Sequence, residues 1–95
     1  MTLRGSILLV DDEEKILKAL ANRRRMGILK YLKKEKQAKV ENIAKVIRLS
    51  VKSTSRHLRV LSAADILEKE QKDKYVYYRI ALKQHAIAKC AISII

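Results

Sequence analysis

Residues 51–67 read VKSTSRHLRVLSAADIL. At about 100° per residue, the repeat of an α-helix, Thr54, Leu58 and Leu61 fall on one side of this segment. Lys52, Arg56 and Arg59 fall within about 60° of one another on the opposite side. One face is made for a core and the other is cationic. Ser50 stands where it can cap the helix, and the three residues RLS, 48–50, separate it from an earlier segment. In that segment Val40, Ile43, Ala44 and Ile47 follow the i, i+3, i+4, i+7 template, which predicts a short helix. Two helices joined so tightly cannot run parallel and must cross steeply, as in a helix-turn-helix.

Downstream, LEKEQKDKYVYYRI (67–80) changes to a period of two, with Val76, Tyr78 and Ile80 on one face of a β-branched and aromatic strand. Its expected partner is Leu67 to Glu70, folded back through Gln71 to Lys74, and the pair forms a wing. Upstream, Asn22 is placed to cap a helix with Arg25, Ile28, Leu29 and Leu32 on one face, ending in KKEKQ (33–37). Before it, ILLVDDEEKIL (7–17) gathers Asp11, Asp12, Glu13 and Glu14 at the start of a further helix carrying Ile16, Leu17, Leu20 and Ala21. The last segment, ALKQHAIAKCAISII (81–95), returns to helix. The fold expected is mostly α with a small β-hairpin: a winged helix-turn-helix in one domain over 1–95. An N-terminal segment and first helix take 1–21, the helix-turn-helix 39–64, the wing 66–80 and a C-terminal dimerisation helix 81–95.

Twenty-two Lys and Arg against ten Asp and Glu leave a formal charge of +12, so the partner expected is a polyanion, nucleic acid first. A domain of this size buries only about 60–65% of its unfolded surface, too little for a deep enzyme cleft to be expected. One cysteine, Cys90, cannot make an internal disulfide, which fits a reducing compartment. The apolar stretches around Ile7 to Val10 and Ala86 to Ile95 fall far short of the roughly 20 residues of a membrane span. A cytoplasmic protein without a secretory signal or membrane association is therefore expected.

Three blocks, LKALANRRRMGILKYL (17–32), VENIAKVIRLSVKSTSRHLRVLSAADIL (40–67) and KYVYYRI (74–80), stand in an order and at separations that resemble the ArsR-type winged helix-turn-helix regulators. The resemblance covers nearly everything from about residue 16 to residue 80. It implies a dimeric, cytoplasmic transcriptional repressor whose first and last helices form the dimer interface. The sequence departs from the family pattern where Arg23 replaces Pro and where Arg48, Asp65 and Asp73 replace Gly. Asp tolerates the left-handed backbone better than most residues; Arg48 either costs on the order of 1 kcal/mol, if its φ is positive, or stands in a different turn. Where metal-sensing members place a cysteine pair, this chain has Lys39 and Glu41. His85 and Cys90, five residues apart on a helix, point about 140° from each other and cannot chelate one ion within a chain. No metal and no cofactor are expected.

The DNA-contacting residues expected are Lys52, Ser53, Ser55, Arg56, His57 and Arg59 on the basic helix, with Arg56 the best placed to read a base, and Lys72 and Lys74 beside the wing turn. A charge run is usually a solvated face, but here it directly follows a helix-turn spacing. Arg23, Arg24 and Arg25 sit at a helix start, where the dipole disfavours cations; they suit a phosphate contact or a solvated face equally. Tyr75 and Tyr77 are expected to pack, and Cys90 to be a small buried hydrophobe. Gly27 inside a helix costs about 1 kcal/mol with no compensation visible in the sequence.

Two catalytic readings fail. The acidic knot lacks the central strand-end Asp, the downstream Lys and the β-α alternation that phosphoryl transfer needs, so it reads as a helix start. Ser53 and His57 lack an orienting carboxylate and an oxyanion site, so no catalytic residue is assigned. Ile87, Ala88, Ala91, Ile92, Ile94 and Ile95 make the last helix apolar on more than one side, which predicts a homodimer closed by the first helix and the last. The rivals are a winged-helix protein-interaction module in a larger nucleic-acid assembly, a peripheral membrane binder, and an RNA-binding role.

Overall fold

The computed structural model describes residues 11–95, which form five helices and a three-stranded antiparallel sheet. The apolar run Ile7 to Val10 lies outside the described residues. Helix α1 (Asp11–Leu20) holds its four carboxylates in the first turn, where they complement the positive end of the helix dipole. Asp11 and Asp12 lie inside that turn rather than before it, so they act as charges on the helix. Its inward stripe is Ile16, Ala19 and Leu20, which corrects the expected one: Leu17 and Ala21 are exposed. The stripe is turned because Ala19, not Leu17, meets the core.

Asn22 then caps α2 (Arg23–Glu35), its Oδ1 accepting from the N–H groups of Arg24 and Arg25, both at 3.0 Å. Ile28, Leu29 and Leu32 on this helix are sealed from water and form the centre of the core. A two-residue strand, β1 (Ala38–Lys39), leads into α3 (Val40–Ile47), which buries Ile43 and Ala44. Arg48 ends α3 in the left-handed region at φ 58° and ψ 50°, letting Leu49 N–H reach the Ala44 carbonyl at 3.0 Å. Ser50 caps α4 (Val51–Ala63) by accepting from Ser53 N–H at 3.1 Å, and Thr54, Leu58 and Leu61 face inward. The helix-turn-helix expected from the spacing is formed by α3 and α4.

Asp65, at φ 59°, turns the chain out of α4 into β2 (Leu67–Lys72), and Asp73, at φ 57°, reverses it into β3 (Tyr75–Ile80). The wing turn is tighter than expected: Lys72 pairs with Tyr75, so Gln71 and Lys72 belong to the strand and only Asp73 and Lys74 make the turn. The sheet order is β1-β3-β2, with Ala38 opposite Tyr78 and Lys39 opposite Tyr77. Tyr78 and Ile80 pack on the core, whereas Val76, on the same face, lies beyond it near the wing tip and is exposed.

The final helix, α5 (Ala86–Ile94), buries Ala88 and Ile92. His85 caps it: its Nδ1 accepts from Ile87 N–H at 3.1 Å, so the ring proton sits on Nε2, 3.3 Å from Glu13 Oε2. At the other end Lys33 Nζ donates to the carbonyls of Ile92, Ser93 and Ile95 at 2.9, 3.2 and 3.2 Å. Cys90 is exposed, which corrects the expectation of a buried hydrophobe; about 200° of helix separates it from the inward Ala88.

Candidate nucleic-acid interface

The anchoring of α4 is one-sided. Leu58 and Leu61 lie with Ile28, Leu29, Leu32 and Ile43 in one core, and Thr54 is fully buried beside them. Directly opposite, Lys52, Arg56 and Arg59 are exposed. Ion pairs of the described residues involve Lys18, Lys72, Arg79 and His85, and none of the three α4 cations. Their charge is left available to an outside anion. Ser53 and Ser55 stand half-buried at the shoulders of that face, and Ser53 spends its backbone N–H on the Ser50 cap.

His57 is half-buried and tied back to α2. Arg25 Nη1 lies 3.2 Å from His57 Nδ1, while the same guanidinium donates through Nε to Ala19 O at 2.6 Å and through Nη2 to Lys18 O at 3.1 Å. A guanidinium has only donors, so Nδ1 must accept and the imidazole is neutral with its proton on Nε2. Burial, and then the charges of Arg25 and Arg24, hold its pKa below the ordinary 6.5. Of the three arginines at the α2 start, Arg25 is thus spent inside the protein; Arg23 and Arg24 remain exposed. The sequence held a signal for this, since a cation at a helix start needs a specific partner to offset the dipole.

In the wing, Lys72 and Lys74 are both exposed. Lys72 Nζ lies 5.6 Å from the centre of the Tyr77 ring and 4.0 Å from Glu70 Oε1, and Lys39 Nζ lies 4.4 Å over Tyr75. Tyr77 is half-buried as expected; Tyr75 is not packed away but exposed at the wing's edge, where its ring carries the Lys39 charge. Nearer the base, Arg79 donates to Glu68 at 2.7 Å and Glu70 at 3.0 Å. The hydrogen bond to Glu68 raises its pKa, desolvation opposes the rise, and the charges of Glu68 and Glu70 add to it. This fork cross-braces β2 and β3 on one face. The eight residues expected at the interface therefore fall into six on α4 and two in the wing that follows it, Lys72 at the end of β2 and Lys74 in the turn. Among the described residues no cluster of three or more His, Cys, Asp or Glu could hold a metal ion, and no helix is long and apolar enough to cross a membrane.

A family model described as a helix-turn-helix domain matches residues 20–70. The chain is similar to the homodimeric winged helix-turn-helix DNA-binding domain of a possible ArsR-family transcriptional regulator from Mycobacterium bovis. Identity to it is 30%, with a TM-score of 0.77, over 96% of this chain and 80% of that one. It also resembles the transcriptional regulator HlyU from Vibrio vulnificus, at 26% identity and TM-score 0.72, over 99% and 94% of the two chains. NolR from Sinorhizobium fredii shares the fold at TM-score 0.80 and 23% identity, over 95% of this chain and 86% of that one. Among curated proteins none matches the chain. The match spans α2, α3, α4 and the start of the wing, the elements that build the cationic face, and the chain belongs to the ArsR family of winged helix-turn-helix transcriptional regulators.

Proposed function

We propose that the protein is a homodimeric, cytoplasmic repressor that binds double-stranded DNA by sequence, with α4 in a major groove and the β2–β3 wing along the backbone. The observation that carries the reading is the split of α4: Thr54, Leu58 and Leu61 are sealed into the core while Lys52, Arg56 and Arg59 stand exposed and outside the protein's own ion pairs. Groove readout needs that arrangement, because guanidinium groups already committed to carboxylates cannot reach base edges without losing those partners. In this reading Arg56 reads a base; Lys52, Ser53, Ser55, His57 and Arg59 contact bases or phosphates; and Lys72 and Lys74 hold the backbone. The segments assigned at 1–21, 39–64, 66–80 and 81–95 act as one unit.

A dimer is supported by apolar surface on α1 and α5, where Leu17 is 52% and Ile94 79% exposed, and by the homodimeric M. bovis relative. No metal-sensing role is assigned, since Lys39 and Glu41 stand where a cysteine pair would be. Nor is any enzymatic step. His57 Nδ1 already accepts from Arg25 and its other nitrogen carries the proton, so it has no lone pair free to take a proton from Ser53.

Selection from a random pool of duplexes tests the whole proposal. An enriched inverted repeat, bound with an affinity that falls about a thousandfold or more between 50 and 200 mM salt if six or more phosphates are neutralised, is the expected result. Equal binding to heparin, single strands and unselected duplex overturns it.

A further inference from the structure

Arg25 occupies a junction that the functional reading has not used. All three arms of its guanidinium are engaged at once: two on the last carbonyls of α1, Lys18 O at 3.1 Å and Ala19 O at 2.6 Å, and one on His57 of α4 at 3.2 Å. The stem rises from the first turn of α2, whose N–H groups are already satisfied by Asn22, so Arg25 is held from its own end as well. It joins three helices at one point.

Ile16 and Leu20 of α1 share one apolar core with Leu58 and Leu61 of α4. Such packing favours closeness and interlocks by shape, but it carries no fixed bonding direction. A planar fork with fixed donor directions supplies one, because it fixes angle as well as distance. This matters because α1 is the helix offered to a second copy, and α4 is the helix offered to DNA. The distance and rotation between the two α4 helices of a dimer are therefore set by how rigidly each is fixed to its own α1.

Resting on the DNA-binding reading above, we infer that Arg25 is a positioning residue: through His57 it locks α4 to α1 and so sets which half-site spacing the dimer accepts. Its partner His57 keeps a neutral ring whose Nε2–H is left over as a donor, so the lock also fixes one hydrogen-bond donor beside Arg56 on α4. Burial and the neighbouring Arg24 and Arg25 charges favour that neutral form.

The test uses two substitutions of His57 that separate the ring's two nitrogens. His57→Asn places an acceptor where Nδ1 stands and preserves the Arg25 contact; His57→Gln places its amide where Nε2 stands and removes the acceptor. Both are compared with Arg25→Met, which keeps the stem, and with wild type. The probes are the duplex enriched by the wild-type protein and its variants with one base pair inserted or deleted between half-sites, each a rotation of about 35°.

Wild type and His57→Asn should prefer the native spacing by about tenfold or more, while Arg25→Met and His57→Gln should bind all spacings within about threefold of one another. A spacing preference retained in Arg25→Met and His57→Gln overturns the inference. If wild type enriches no duplex, the DNA reading falls by itself, and ring-nitrogen NMR shifts with α1–α4 residual dipolar couplings still decide the lock. A fixed Nε2–H tautomer and interhelix angle, both lost in Arg25→Met, support it; an unchanged angle in Arg25→Met refutes it.

Discussion

Thr54 is the side chain on α4 that the core tolerates least well. It is fully buried and its hydroxyl has no hydrogen-bond partner, so the folded state has given up the water contact of Oγ1 without replacement. Thr54→Val removes that group with little change of shape and should stabilise the protein by about 1 kcal/mol, read as a higher urea midpoint at unchanged m-value. Gly27 works in the same direction for a different reason. A Cβ there would meet Ile47 Cγ2 at 3.8 Å, an ordinary contact, so nothing in the described packing requires glycine and Gly27→Ala should add roughly 0.5–1 kcal/mol. The positions where the family pattern has glycine were legible in the sequence: Arg48, Asp65 and Asp73 all adopt φ between 57° and 59°. Lys36, at φ 77°, was not, because the charged run that ends α2 carries no turn signature. His57 adds a pH dependence whose sign follows from its lowered pKa. The unfolded ring takes up a proton near 6.5 while the folded ring resists it, so stability is complete above pH 6.5 and declines as the pH falls through 6.5 toward the folded value. The melting temperature of wild type minus that of His57→Asn should therefore fall on acidification from pH 7.5 to 5.5, whatever its starting value; a signed difference that rises or stays flat contradicts the neutral, Arg25-bound ring.

Among elements, the helices were readable because apolar residues recur in them with the helical period, and α3 follows it without a miss. Strand β1 was not readable: two residues have no period, and Ala38 and Lys39 are a strand only because β3 lies beside them. The inward side of α1 was misread for a related reason. A larger Leu17 and a smaller Ala19 compete for the core, and which wins depends on neighbours that sequence alone does not place. Helix α5 depends on a contact of the same non-local kind. With about nine residues it is too short to be stable alone, and its last carbonyls are gathered by the Lys33 ammonium from α2, 59 to 62 positions earlier in the chain. An ammonium there satisfies acceptors and also complements the negative end of the helix. Lys33→Met should leave α1 to α4 intact and fray α5, costing about 1 kcal/mol, with faster amide exchange confined to its last turn. If exchange accelerates equally across the molecule, Lys33 supports the core rather than the helix end.

At the scale of the whole molecule the question is how a charge of +12 becomes selectivity rather than mere adhesion. Phosphate contacts supply affinity and salt dependence but no sequence information, and base contacts supply the reverse. The two kinds can be separated by slope. Lys72→Ala should lower the dependence of log affinity on log salt by about 0.9 and weaken every duplex alike, whereas Arg56→Ala should relax base choice at one position of each half-site. Selectivity of that kind is doubled only if two copies bind as a rigid pair, and the surface that would join them is the apolar strip of Leu17 and Ala21 on α1 with Ile94 at the end of α5. Leu17 is surrounded by Glu13, Glu14 and Lys18, so a carboxylate placed there meets like charge across a two-fold axis, where the same surface faces itself. Leu17→Glu should therefore yield a monomer in analytical ultracentrifugation while leaving the melting of the isolated fold within about 1 kcal/mol of wild type, because the side chain is half in water already. Its affinity for a single half-site should be unchanged, and its affinity for the inverted repeat should fall to that of the half-site. A Leu17→Glu protein that still sediments as a dimer, or that binds the inverted repeat as tightly as wild type, would move the interface away from α1 and with it the geometry that makes two cationic helices read one operator.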